Sequence, residues 1–499
     1  MLSATEAPQV VSNYLEEELA LNRIVELPPG QAQKLDGLQC SPFGVIPKKH
    51  KPGKWRLIVD LSSPEHFSVN DGIAKELCSL TYTSVDDVVA CVLKAGKGAL
   101  LAKMDIKQAY RNIPVHPDDR PLLGMKWQGR VFVDKTLPFG LRSAPLIFSA
   151  VADALQWIMQ RRGIKDLFHY IDDFITVGGP GSSECASNVQ IMKRTCSDTG
   201  TPIELDKCEG PATLISFLGL ELDSEAQEVR LPREKLSQLL SLLHAWRGRK
   251  ACRKRELLSL VGSLSHACKA VRPGRAFLRR LIDLSTVVKH LDHYLRLSRS
   301  ARSDIEWWVQ FASRWNGTAM MTAVNKACPH SMITSDASGK WGCGAFCGSY
   351  WFQLCWTGPT AESHITVKEL VPIVIAAAVW GNLWVGKTIL ARCDNAAVVA
   401  IINQGNSKDP ECMHLMRCLA FIAAQFNFNI IASHIKGSDN DLADAISRNN
   451  LGYFFSRYPQ ASCTPTALPQ ELLDLLIVAK PDWTSSHWTD LWTSIFAKA

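Results

Sequence analysis

No two of the 16 cysteines are spaced as Cys-x-x-Cys, and His290 and His293 have no cysteine pair nearby, so a structural zinc site is not expected. The cysteines are scattered along 499 residues with no secretory start, which predicts reduced thiols in a cytoplasmic or nuclear setting and not a disulfide scaffold. The beginning of the chain lacks a basic start followed by an apolar stretch, so neither a signal peptide nor secretion is expected. The most apolar run, residues 370–384, contains Pro372 and Gly381. It is shorter than the roughly 20 residues of a membrane span, so no membrane partner is expected. Internal repeats and low-complexity tracts are also absent, which excludes repeat arrays. With 46% hydrophobic and only 21% charged residues, the composition excludes a disordered chain and allows sizeable cores.

At roughly 150 residues per domain the length suggests about three units. The net charge of +7 is unevenly spread. Between Arg230 and Arg302 there are 18 Lys or Arg against four acids, so the middle is strongly basic and its flanks are acidic. That pattern suits a surface for a polyanion, with carboxylates gathered elsewhere for metals.

Residues 1 to about 225 mix strands and helices. Residues 54–60 and 99–105 read as strands, each ending near an aspartate, and 144–160 as a helix that tolerates Pro145 in its first turn. The apolar runs 166–170 and 174–177 flank Ile171-Asp172-Asp173, which reads as a hairpin with two carboxylates at its tip. From about 230 to 315 the pattern is helical, with Leu236, Leu239, Leu240, Leu243 and Trp246 at helix spacing. After about 325, strands are expected at 332–336, 343–347 and 350–356, then a helix at 366–383 and a strand at 388–394. Helical stretches at 396–403 and 410–425, a strand at 427–434 and a last helix at 441–448 follow. Residues 450–499 carry Pro459, Pro465 and Pro469 and end in a Trp-rich stretch.

Two adjacent acids in a turn mean little alone, because Asp favours turns. Asp105 at a strand end, with Asp172 and Asp173 at the hairpin tip, would nevertheless make a carboxylate cage once the strands pair. Such a cage can hold two divalent ions for in-line phosphoryl transfer. The surroundings point the same way. Tyr170-Ile171-Asp172-Asp173 resembles the Tyr-X-Asp-Asp motif of reverse transcriptases, and residues 103–110 (Lys-Met-Asp-Ile-Lys-Gln-Ala-Tyr) resemble that family's first catalytic motif. Residues 137–145 resemble its template- and nucleotide-binding motif, and 54–60 its fingers strand. Residues 204–208 and 217–220 resemble its later palm and primer-grip motifs.

The resemblance implies that Asp105, Asp172 and Asp173 are the metal and catalytic carboxylates. Asp172 is expected to be the stronger ligand of the pair, because adjacent side chains on a strand face opposite ways. Arg56 would clamp the incoming triphosphate with its planar fork of donors, the alternative being a surface residue of the fingers. Lys49 is a second candidate, although Lys48, Lys51 and Lys54 could share its role. Tyr110 would lie under the sugar, with core packing as its alternative. Phe139, Gly140 and Lys207 are implied substrate contacts. Phe139 stands where many retroviral enzymes have Gln, and Phe also occurs there in retrotransposon relatives.

A second set of acids follows. Asp336 ends one strand, Glu369 lies in a helix, Asp394 ends another strand and Asp444 sits in the last helix. Buried strand ends and helix faces seldom keep acids without a partner or a metal. Their order resembles the ribonuclease H fold over about 120 residues, where two metals activate water to cut the RNA strand of a hybrid. His434, ten residues before Asp444, resembles the family's mobile histidine for proton transfer or product release. Asp439 and Asp441 are alternatives to Asp444, whose Ala-Asp-Ala-Ile-Ser-Arg setting is the family's ending.

The expected fold is therefore α+β and α/β multidomain. A right-hand polymerase (fingers and palm, 1–225) precedes a basic helical thumb and connection (226–325), an RNase H-like domain (326–450) and a Pro/Trp-containing tail (451–499). The resemblance implies Mg2+ as cofactor, with Mn2+ as the alternative, two ions per site. It implies an RNA template, a DNA primer, an RNA–DNA hybrid and dNTPs as partners. Arg247-Gly248-Arg249-Lys250 through Arg253-Lys254-Arg255 would grip phosphates, the alternatives being a nuclear import signal or a solvated helix face. Residues 382–448 and 467–473 look most like tyrosine-recombinase retrotransposons of the DIRS and Ngaro types, which implies a recombinase and Gag-like proteins as further partners. The chain shows no protease, integrase or zinc knuckle, so those parts are expected on another chain or lost by truncation. A catalytically silent relic that binds nucleic acid and a template-restricted, telomerase-like polymerase are the rival readings. The intact acids count against the first and the attached nuclease against the second.

Overall fold

The computed structural model describes residues 2–47, 55–314, 316–319, 331–474 and 476. The chain forms two compact units, one of residues 1–91 with 98–215 and the other of 92–97 with 216–499. The segment 226–325, expected as a domain of its own, falls in the second unit together with everything after it.

In the first unit, a four-stranded antiparallel sheet runs Glu209–Ala212, Leu100–Asp105, Asp173–Gly178, Leu167–Tyr170. Phe174, Ile175, Thr176 and Val177 are all buried, so this strand is covered on both faces and lacks the polar alternation of a half-exposed strand. The helices Ala144–Arg161 and Glu184–Asp198 pack against it, and Phe148, Leu155 and Met159 meet Met104, Phe174 and Met192 in one core. The finger region holds a second sheet, ordered Ile24–Glu26, Arg130–Asp134, Gly124–Trp127, Cys40–Ser41, and a separate hairpin of Phe43–Pro47 with Trp55–Val59. Arg111, 4% exposed, ties this region together by pairing with both Glu18 and Asp134. A buried cation needs such partners.

The second unit opens with the strands Leu220–Asp223 and Glu228–Arg230, followed by the helices Arg233–Trp246, Lys254–Ala267, Arg279–Thr286 and Arg299–Phe311. Leu239, Leu243 and Trp246 form the buried stripe that their spacing predicts. A mixed five-stranded sheet follows, ordered Tyr350–Cys355, Gly342–Cys347, Ser331–Ala337, Thr388–Cys393, Asn429–His434. The first three strands are antiparallel and the last two join in parallel.

Two sequence expectations need correction here. The apolar run is longer than expected, because the expected helix, with Pro372 inside it, runs Ile365–Trp380 and continues as a 3-10 turn, Gly381–Trp384. The combined Ile365–Trp384 is long and apolar enough to cross a membrane, but 78% of it is buried inside the unit. A helix apolar on every side is a core helix when protein surrounds it. Residues 451–461 are likewise no tail. The helix Leu451–Arg457 drives Phe454 into a core with Trp351, Ile446 and Ala461.

Candidate active sites

Register builds the first site. Asp105 lies directly opposite Asp173 on neighbouring antiparallel strands, and Tyr170 opposite Asp173 on the next pair. The hairpin turn is therefore Ile171-Asp172. Ile171 has φ 56°, a left-handed conformation that β-branched residues avoid at a cost of about 1–2 kcal/mol. Its side chain packs on the core, and the Ile106 amide donates to the Asp172 carbonyl at 3.0 Å, which holds the turn in place. Because Asp172 is a turn residue and the strand starts at Asp173, strand alternation does not rank the two acids. Asp173 is the one that shares a side-chain hydrogen bond with Asp105. Burial pushes the Asp173 carboxyl up to about 6, and the charges of Asp172 and Asp105 add to the shift. Burial also raises Asp172, again with Asp105 adding to it.

Lys207, on the short turn Leu205–Lys207, is a nearby cation, with Nζ 2.9 Å from Asp105 Oδ1. The Tyr110 ring leans on Phe139 at 5.2 Å and Phe148 at 5.8 Å. Burial, followed by the charge of Asp172, lifts its hydroxyl to about 12. Phe139 itself is 56% exposed. Gly140 has φ 92°, a conformation that suits glycine. Its loop is pinned by a residue that sequence reasoning missed. The buried Asn70 donates to the Gly140 carbonyl at 3.0 Å and accepts from the Arg142 amide at 2.8 Å. Arg56 is exposed on its strand and, among the described residues, makes no hydrogen bond or ion pair with the three acids. Lys49 lies outside the described residues.

The second site forms at the ends of the central strands of the mixed sheet. Asp336 and Glu369 are 6% and 5% exposed. Ligand atoms of Glu369, Cys393 and Asp394 all lie within 4.8 Å of one another. Gly344 lets the helix Asp441–Ser447 approach, since a Cβ there would stand 2.2 Å from Ile446. That approach brings Asp444 near enough for its charge to act on Asp336. Asp439 engages Ser438, Asp441 engages Tyr453 and Asp444 pairs with Arg448, and of the three it is Asp444 whose charge acts on Asp336, which favours it as the fourth acid. His434 Nε2 is 3.0 Å from the Asp394 carbonyl oxygen, at the open edge of the group.

Burial pushes Asp336 up to about 6, with Asp394 and Asp444 adding to the shift. Glu369 rises to about 9 through burial and the charges of Asp336 and Asp394. Such a crowd of oxygens cannot stay ionised without a counter-charge. Oxygen-rich donors of this kind fit a hard divalent cation, and the same holds for the three acids of the first site.

The basic middle is largely partnered within its own unit. Arg247 pairs with Glu306 at 2.7 Å and Arg249 with Glu256 at 3.1 Å. Arg253 and Arg255 share Asp292, and Lys254 donates to the Val288 carbonyl at 2.6 Å.

A family model described as reverse transcriptase (RNA-dependent DNA polymerase) matches residues 46–222. Polyprotein P3 of Commelina yellow mottle virus is 20% identical over 81% of this chain. The transposon Tf2-3 polyprotein of Schizosaccharomyces pombe is 21% identical over 85% of it. The chain spans 20% and 31% of the length of those two relatives. Among solved structures, a foamy viral protease-reverse transcriptase in complex with double-stranded DNA is similar at a TM-score of 0.52 and 14% identity, covering 85% of this chain and 69% of that one. The fold is thus the mixed α and β polymerase hand, with palm and fingers, followed by a further domain.

Proposed function

We propose that this chain is the polymerase part of a retroelement polyprotein, an RNA-directed DNA polymerase joined to a ribonuclease H. The observation that carries the first half is the pairing of Asp105 with Asp173 beside the Ile171-Asp172 turn, inside the segment that matches the reverse transcriptase family. The second half rests on Glu369 and Asp394 meeting beside Cys393, with the buried Asp336 close enough to feel the charges of Asp394 and Asp444.

Asp105, Asp172 and Asp173 would hold one pair of Mg2+ or Mn2+ ions, and the four acids of the second unit another. Bound there, the ions supply charge for an attacking hydroxyl or water and for the leaving oxygen. The chain's own residues do the rest. Tyr110 walls the space beside Asp172, and Phe139 and Gly140 sit at its edge. Lys207 brings a movable cation, Arg56 offers a fork of donors for a triphosphate, and His434 can carry a proton at Nε2. RNA template, DNA primer, hybrid and dNTPs are the substrates of this reading. It includes a cytoplasmic or nuclear site of action and an origin in a DIRS- or Ngaro-type element, with recombinase and Gag-like proteins as partners.

Primer extension on RNA and cleavage of a labelled hybrid test the proposal together. Asp172→Asn should abolish synthesis and spare cleavage, and Asp394→Asn should do the reverse. A folded wild-type chain without either activity would be a silent relic. Loss of both activities in either single variant would refute two independent sites.

A further inference from the structure

Asp336 has its two carboxylate oxygens held by different residues of one short stretch. The Ser447 hydroxyl donates to Oδ2 at 2.6 Å, and the Asn440 amide nitrogen approaches Oδ1 at 3.3 Å. Both partners are buried, at 1% and 2% exposure; Asn440 caps and Ser447 ends the helix Asp441–Ser447 that carries Asp444. The Asn440 amide has a defined orientation. Its nitrogen also faces the Ser335 carbonyl at 3.2 Å, and a flipped amide would set its oxygen against two acceptors. Its Oδ1 consequently points elsewhere and has no hydrogen-bond partner, although it is buried. A buried acceptor without a donor is costly unless the working site supplies one, as an ion's water ligand can.

We propose that Ser447 and Asn440 are positioning residues that fix the carboxylate plane of Asp336 for a divalent cation and so couple the helix Asp441–Ser447 to the metal group. The inference rests on the ribonuclease H reading for its chemistry, but the clamp can be tested without it. A carboxylate free to rotate must be ordered when the ion binds, whereas a clamped one is ordered beforehand. Removing a hydrogen-bond partner of a metal ligand lowers metal affinity by about 10- to 100-fold.

The test uses the full chain with Asp172→Asn and Asp173→Asn, which removes the polymerase ions, and Mn2+ binding followed by electron paramagnetic resonance. Ser447→Ala should weaken Mn2+ binding at the remaining site by about tenfold or more, and Ser447→Thr, which keeps the hydroxyl, should restore most of it. Hybrid cleavage by the otherwise wild-type chain should need correspondingly more Mg2+ in Ser447→Ala, with an unchanged circular dichroism spectrum as the control for folding. Unchanged Mn2+ affinity in Ser447→Ala overturns the clamp, as does a Ser447→Thr chain as weak as Ser447→Ala with its spectrum intact. A wild-type chain whose Mn2+ affinity here depends on Ser447 yet cuts no hybrid overturns the nuclease reading and leaves the clamp standing.

Discussion

Lys207 places its ammonium 2.9 Å from one oxygen of Asp105 and 3.0 Å from the other, closing a link across 102 residues of sequence. The two ends of this ion pair differ in setting, since the Asp105 side chain is 7% exposed and the Lys207 side chain 60%. The hydrogen bond to Asp105 raises the Lys207 pKa, so it stays charged at any working pH. A solvated cation on a buried acid can leave when a divalent ion takes the acid, and on the polymerase reading it would then meet the polyphosphate of a nucleotide.

Lys207→Met should therefore lower kcat/KM for dNTP incorporation. A charge-assisted hydrogen bond contributes about 1.5–3 kcal/mol, which corresponds to a drop of about 10- to 100-fold. Hybrid cleavage should not change. Steady-state insertion kinetics with matched dNTP decide the matter, and an unchanged kcat/KM would reduce the pair to a surface contact.

The second site gives a pH prediction. In the folded chain Asp336 titrates near 6 and Glu369 near 9, against ordinary values of 3.8 and 4.5. Both are raised, so the fold favours the protonated forms. Their stabilising contribution is complete below the ordinary values and is lost as pH rises through about 6 and then about 9. In chelator, the melting temperature of the wild-type chain should fall between about pH 5 and pH 9 more than that of Glu369→Gln. Added Mg2+ should recover it at the alkaline end, because an ion that binds only the folded chain stabilises it. Parallel melting curves for the two chains would mean that Glu369 is ionised and already partnered.

The basic middle yields a weaker effect than its composition suggests. Arg253, Lys254 and Arg255 carry three charges, but Asp292 offsets one of them and Lys254 is anchored to a carbonyl. Exposed ion pairs contribute only about 0–1 kcal/mol, so phosphates can still recruit the arginines. Replacing all three with Gln should flatten the salt dependence of hybrid binding by about one to two units of slope, not three. A fluorescence titration across salt concentrations measures this, and an unchanged slope would assign the segment to a solvated face.

These expectations show which features can be read from sequence. The acids could be found because each stands in a short recognisable run, Asp105, Asp336 and Asp394 at strand ends, Asp172 and Asp173 at a hairpin turn, and Glu369 and Asp444 on helices, and the strand and helix order after residue 325 follows from apolar spacing alone. Ser447, Asn440 and Asn70 could not. Ser447 meets Asp336 across 111 residues, and a serine in a helix looks the same whether it is paired or solvated. The helix expected at 366–383 was legible despite Pro372. Proline ordinarily ends a helix through its lost donor, but burial on every side of Ile365–Trp380 outweighs that local cost. The ranking of Asp172 over Asp173 depended on a one-residue boundary between turn and strand, which is the least readable quantity in a sequence.

Tyr110 offers the sharpest test of substrate choice. A DNA-synthesising enzyme must exclude ribonucleotides, which differ from its substrates by one hydroxyl. Added bulk is easier to reject than missing bulk, because a close-packed wall has no room for another oxygen. Tyr110 has the placement of such a wall. Its ring is half-buried and braced by Phe139 and Phe148, and its hydroxyl feels the charge of Asp172. Braced rings do not swing aside cheaply, so the extra oxygen would have to displace the aromatic pair. Shortening Tyr110 to Val should remove about 1–4 kcal/mol of discrimination and raise ribonucleotide incorporation by one to three orders of magnitude. Deoxynucleotide use should fall much less, since the acids and Lys207 are untouched. Phe148→Leu should show a smaller shift in the same direction, because it loosens the brace and leaves the wall. The measurement is single-nucleotide insertion on an RNA template, comparing kcat/KM for matched dNTP and rNTP. If the ratio is the same in Tyr110→Val as in the wild-type chain, the ring serves core packing and another residue sets the choice of sugar.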